Sequence, residues 1–130
     1  MTHERLSLGK TGEKLAQKHL LDLGYKIVAS NYRVKLGEID LVALDRGTVV
    51  FVEVKTRIGV SFGQPSESIT YRKIQQLSKV ALEYIGRHGL TSKPARFDVV
   101  SVLFKDNKSV FGEKPKIEVI KNAFELSFGV

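Results

Sequence analysis

The sequence predicts an α/β protein: a three-layer α/β/α sandwich around a mixed central sheet, with elements in the order αβββαββ. Three observations lead there. Two stretches place apolar residues at helical spacing, several others alternate apolar and polar residues, and one hairpin is apolar on both faces, which requires a covering layer on each side. The chain has 130 residues, enough for one hydrophobic core and too few for two, so residues 1–130 are read as a single domain.

From about Gly9 to Leu23, the positions Leu15, Ala16, His19, Leu20 and Leu23 form a helical stripe, and the "LGY" that follows offers a glycine suited to a C-cap. "YKIVASNYRV" is rich in β-branched and aromatic residues and predicts the first strand, turning at "KLG". "GEIDLVALDRGTVVFVEVKTR" then reads as a hairpin of two strands. "RIGVSFGQPSES" gathers Gly, Ser and Pro into a loop that could close over a ligand or meet a second copy. Ser68 is placed to cap a second helix with Ile74, Leu77, Ala81, Tyr84 and Ile85 on its buried stripe, stopped by "GRHG". "ARFDVVSVLF" is a fourth strand, "KDNKS" a turn, and "KIEVIKNAFEL" a fifth strand leading into a short terminal helical turn.

Composition narrows the function classes. Apolar residues make up 42% of the chain and charged residues 27%, as in ordinary globular domains. No cysteine is present, so neither a disulfide nor a thiolate zinc site can form, and a cytoplasmic location is expected. The start "MTHERLSLGK" lacks the apolar run of a signal peptide, and "TVVFVEV" is far too short to span a membrane. A net charge of +7 and a pI near 9.7 favour a polyanionic partner, because clustered Lys and Arg release counterions from phosphates.

The hairpin concentrates the chemistry. With Arg46 and Gly47 as its two turn residues, Asp45 faces Thr48, and the same register sets Asp40 across from Glu53 and Glu38 across from Lys55. Alternation then puts Asp40, Val42 and Leu44 on one face with Val49, Phe51, Glu53 and Lys55. Two acids directly opposed on a strand pair repel by roughly 0.2 to 1 kcal/mol, and more when desolvated, so something must compensate. One answer is a divalent cation such as Mg²⁺ or Mn²⁺, which takes hard oxygen ligands. The other is an internal ion-pair cluster with Lys55, Arg33 or Arg57. A register slip of one residue would separate the acids altogether. The pattern alone leaves these alternatives open.

Asp40 followed by Glu53-Val54-Lys55 resembles the PD-(D/E)xK nuclease superfamily, with Ile39 in place of the proline. With "GEKLAQKHL", "GEIDLVA", "VFVEVKTR", "RFDVVSV" and "NAF", the chain from Gly9 to Phe124 resembles the YraN family of predicted nucleases, related in fold to archaeal Holliday-junction resolvases. The resemblance implies a restriction-endonuclease-like core and a Mg²⁺- or Mn²⁺-dependent endonuclease acting on DNA, with branched or otherwise structured DNA among its candidate substrates. It implies that Asp40, Glu53 and the Val54 carbonyl bind the metal, that Lys55 positions the attacking water, and that Glu13 adds an acid from the first helix. Resolvase-like enzymes work as dimers, so a homodimer is compatible with it.

Arg33, Lys35, Arg57, Gln64, Arg72, Lys73 and Lys79 are candidates for contacts to a nucleic-acid backbone. Each also has an ordinary reading as a solvated surface residue. Asp98 is expected to pair with a neighbouring cation, and Tyr71 to be partly buried at a helix start. "GKT" at Gly9 to Thr11 is no phosphate loop, since Glu4 stands where such a motif needs glycine. His3, His19 and His88 are too scattered for a histidine metal site. Two other functions fit the same charge and fold: a nucleic-acid-binding module without hydrolysis, and a protein adaptor.

Overall fold

A computed structural model describes residues 2–59, 69–106 and 114–125. Its elements are α1 (Thr2–Asp22), β1 (Lys26–Val34), β2 (Gly37–Asp45), β3 (Thr48–Ile58), α2 (Tyr71–Arg87), β4 (Ala95–Phe104) and β5 (Lys116–Phe124). The order αβββαββ is as expected. The five strands form one sheet in the order β1-β2-β3-β4-β5, antiparallel throughout except for the parallel pair β3 and β4. That parallel pair is joined through α2, as a parallel connection requires.

The sheet is covered on both faces. Ala16 and Leu20 of α1 pack on Leu41, Ala43, Val50, Val52, Val100 and Val102. On the other face Leu77, Val80, Ala81 and Tyr84 of α2 pack on Ile39, Val42, Val49, Phe51 and Phe97. Each fully buried Leu, Val or Phe contributes about 1.5 to 3 kcal/mol relative to its exposed state, so these layers hold the three tiers together.

The ends of the elements follow local chemistry. In α1, Tyr25 N–H donates to the Leu20 carbonyl at 2.9 Å and Gly24 N–H to Leu21 at 3.0 Å, with Gly24 at φ +97: a Schellman cap, for which glycine is the natural residue. The hairpin turn has Arg46 at φ 52 and Gly47 at φ 88, the two positive angles of a type I′ turn. Its pairs run from Asp45 opposite Thr48 to Leu41 opposite Val52, which is the predicted register.

Three local expectations are corrected. Helix α1 begins at Thr2 rather than near Gly9. Helix α2 is capped by Thr70, whose hydroxyl accepts from Lys73 N–H at 3.1 Å, so the cap follows Ser68, which lies outside the described residues. The chain from Asn122 to Phe124 continues β5 instead of turning helical, because its backbone pairs with β4 up to Phe97 opposite Phe124.

Candidate functional site

The β2–β3 ladder stops at Leu41 and Val52, one residue short of the two acids. In place of a further backbone pair, the Asp40 Oδ2 accepts from Val54 N–H at 2.8 Å. The strands therefore part where the charges begin, and a carboxylate takes over a backbone donor left by the parting.

A second irregularity turns Asp40 toward α1. Ala29 pairs with Val42 and Tyr32 with Ile39, and all four pack in the α2 layer. Residues three apart on a strand share a face only where the alternation slips. Between those pairs stand Asn31, at φ 51, and Asp40. Leu41 belongs to the α1 layer, and Asp40 turns to that same side. The expectation that Asp40 shares a face with Val42 and Leu44 is thus corrected: the slip brings it to the helix that carries Glu13.

On that side Glu13, Glu38 and Asp40 each present a carboxylate oxygen within 4.8 Å of the others. With its amide nitrogen turned to the acids, Asn31 donates to Glu13 Oε1 and Glu38 Oε1, each at 3.1 Å, an orientation chosen by the hydrogen-bond network itself. Arg33 Nε bonds Glu38 Oε2 at 2.9 Å. A cleft of about 570 Å³ opens here, with Lys55 and Thr56 in its wall beside the four acids. Gly12 makes this approach possible, because a Cβ on it would overlap the Thr56 side chain.

Glu53 adjoins Asp40, and burial followed by the Asp40 charge pushes its pKa up to about 7. Burial also raises Asp40, against the Val54 N–H bond that favours its charged form. Glu13 is raised by burial first and then by Asp40 and Glu38. All three shifts have the same sign and the same leading cause, withdrawal of the carboxyls from water, with the neighbouring acids adding to it.

The predicted site residues divide accordingly. Asp40, Glu53, Val54, Lys55 and Glu13 all line this cleft, as does Arg33. Glu38 and Asn31 belong to it and were not anticipated; Glu38 sits two residues before Asp40, and its predicted place opposite Lys55 was the available signal. Lys35 is exposed in the β1–β2 turn and Arg57 is half-buried in β3. Gln64 and most of its loop lie outside the described residues. Arg72, Lys73 and Lys79 line a separate cleft of about 470 Å³ on the α2 side. Tyr71, expected to be partly buried, is 61% exposed, because the helix begins with its polar side outward.

Asp98 pairs with a cation, as expected. It is fully buried and bonds Arg96 Nε at 2.9 Å, the Tyr25 hydroxyl at 3.0 Å and Asn122 N–H at 2.9 Å. Among the described residues no helix is long and apolar enough to cross a membrane.

The sequence has close relatives. A protein of Geotalea uraniireducens is 46% identical over 122 residues, covering 94% of this chain and 92% of its own length. One from Geobacter metallireducens is 44% identical over 128 residues, covering 98% of this chain and 100% of its own, and one from Trichlorobacter lovleyi is 44% identical over 123, covering 94% and 93%. Each is named a UPF0102 protein. Residues 12–102, which carry Glu13 and the whole hairpin, match the Uncharacterised protein family UPF0102, and the chain belongs to that family.

Proposed function

We propose that this protein is a metal-dependent endonuclease that hydrolyses phosphodiester bonds in DNA. The observation that carries the reading is the half-buried Asp40–Glu53 pair at the parted end of β2 and β3, with Lys55 beside it in an open cleft. The residues fit a hard divalent cation: the donors are carboxylate oxygens, gathered within reach of one another and partly withdrawn from water, which raises their pKa values. Asp40, Glu53 and the Val54 carbonyl would hold Mg²⁺ or Mn²⁺, with Glu13 and Glu38, whose carboxylate oxygens lie within 4.8 Å of that of Asp40, in reach as further ligands. Bound there, the cation supplies Lewis-acid stabilisation of charge on the phosphoryl oxygens and lowers the pKa of water.

The chain does the rest by positioning. Val54 N–H fixes the Asp40 carboxylate, and Asn31 holds Glu13 against Glu38, so the acids need little reorganisation when a ligand arrives. Lys55 orients the attacking water and adds positive charge where the transition state accumulates negative charge. Since the contacts available to DNA are cationic side chains, recognition is by backbone and shape rather than by base sequence.

The test is calorimetric titration of Mg²⁺ and Mn²⁺ into wild type and Asp40→Ala, followed by incubation with linear, single-stranded, flap and four-way DNA. Saturable metal binding and cleavage lost together in the variant are expected. A wild type that binds no metal even with DNA present removes the nuclease reading and leaves a binding protein with an ion-pair cluster.

A further inference from the structure

We propose that the cleft on the α2 face is a track for a single DNA strand, so that the substrate is a duplex with an unpaired arm. The inference rests on the nuclease reading for where the strand ends. Arg72, Gln76 and Lys79 fall at helical spacing along one exposed stripe of α2, about 10 Å long at the rise of an α-helix. Among the described residues, ion pairs engage Arg33, Arg87, Arg96 and Lys121 and leave Arg72, Lys73 and Lys79 unengaged. Among the described residues, no acidic one lines this cleft.

Lys73 connects the track to the acids, since its charge favours the ionised forms of both Asp40 and Glu53. Among the described residues the two clefts share no wall residue, however, and the β1–β2 turn stands between them, with Arg33 on one side and Leu36 on the other. That turn is a fixed ridge. Gln76 Nε2 donates to the Leu36 carbonyl at 3.0 Å, and the same side chain packs against Gly37, where an added Cβ would lie 3.0 Å from it. Leu36 itself is 49% exposed.

A nucleic acid served by both clefts therefore has to bend over a ridge that presents Leu36 beside the exposed Lys35. Duplex DNA, with a persistence length of about 150 bp, resists so tight a turn, whereas a single strand makes it freely. Tyr71, between two residues of the cleft wall and 61% exposed, offers a ring on which an unpaired base can stack. Leu36 is suited to part the last base pair, as apolar wedges do in kinked DNA.

The test is binding of labelled DNA in EDTA, read by fluorescence anisotropy, to wild type, Arg72→Ala/Lys79→Ala and Tyr71→Ala. The DNAs are a fork with one single-stranded arm, a blunt duplex and a four-way junction without unpaired arms. The fork is expected to bind at least tenfold tighter than the other two. The double variant lowers fork affinity about tenfold and reduces the slope of log K against log salt by about 1.4, for two single-strand phosphate contacts. Tyr71→Ala weakens the fork alone. Equal binding of fork and blunt duplex, or a double variant that binds like wild type, overturns the proposal. All three substitutions are on exposed positions, and a matching thermal melt confirms the fold. The same samples are then incubated with Mg²⁺. A wild type that holds the fork through α2 but cuts nothing removes the nuclease reading and keeps the track; cleavage unchanged in the double variant removes the track alone.

Discussion

Carboxylates withdrawn from solvent gather at both ends of the β2–β3 hairpin, and the protein treats them in opposite ways. At the turn end, Asp98 and Asp45 share Arg96, which reaches Asp45 Oδ2 at 2.7 Å and Asp98 Oδ1 at 2.9 Å. Asp98 takes two further donors from Tyr25 and Asn122. The Arg96 bond holds the Asp45 carboxyl below its usual range, and burial beside Asp98 pushes the Tyr25 phenol up to about 12. At the open end, Asp40 has one backbone donor and an acid for a neighbour. A carboxylate with its charge and lone pairs satisfied internally is part of the scaffold. One left with uncompensated charge in a cleft is available to a ligand.

The sharpest way to break this contrast is at the satisfied end. Asp98→Ala leaves Arg96 short of its main partner and Asn122 N–H without an acceptor, and should cost about 3 to 5 kcal/mol, as removal of one member of a buried pair does. Denaturant unfolding measures it. A loss below about 1 kcal/mol, the size of an exposed pair, would mean that the network does not hold the turn end together.

Next in size is the contact that brings the acid of α1 to the sheet. Gly12→Val forces Thr56 and α1 apart and is expected to cost about 1 to 3 kcal/mol by overpacking. Because Glu13 moves with the helix, metal affinity should fall as well, read in the same titration that tests the acid pair. Unchanged affinity would detach Glu13 from the site.

The open end predicts a pH dependence of opposite sense to ordinary acid denaturation. Glu53 titrates at about 7 in the fold and near the ordinary glutamate value of about 4.3 when unfolded. Its folded form therefore binds the proton more tightly, and the stability this contributes is present below about 4.3 and lost as pH rises through about 7. Metal-free protein should lose on the order of 1 to 3 kcal/mol between about pH 5 and 8 from this group, since a tenfold difference in proton affinity is worth about 1.4 kcal/mol. Glu53→Gln flattens that part of the profile, and Mg²⁺ stabilises wild type more at the alkaline end of this window than at the acid end. A Glu53→Gln profile parallel to wild type would place the proton elsewhere.

The smallest effect belongs to Arg33, whose ion pair with Glu38 is formed by a side chain 74% exposed. Arg33→Ala should change stability by less than about 1 kcal/mol, as exposed pairs do. Its consequence is read in metal affinity, which rises slightly if Arg33 competes with a cation for Glu38. A fall would make the arginine an organiser of the acids.

The amino-acid sequence by itself determined the element order, a covering layer on each side of the sheet and the hairpin register from Asp45 opposite Thr48 inward. These depend on local periodicity and on a turn that needs two positive φ angles, and both are written in adjacent residues. It also placed Asp40, Glu53, Val54 and Lys55 at one end of one hairpin. Only the tertiary structure decided that β2 and β3 part at the acids, that Asn31 takes a left-handed conformation, and that Asp40 consequently faces Glu13 and Glu38 rather than following Val42. A period of two carries no sign of where it slips. The slip depends on a backbone donor at Val54, an amide at Asn31 and a glycine at Gly12, which are distant in sequence and meet only when α1 packs on the sheet. The separation of an acidic cleft from a basic one was likewise unreadable, since it depends on which face of a five-stranded sheet each helix covers.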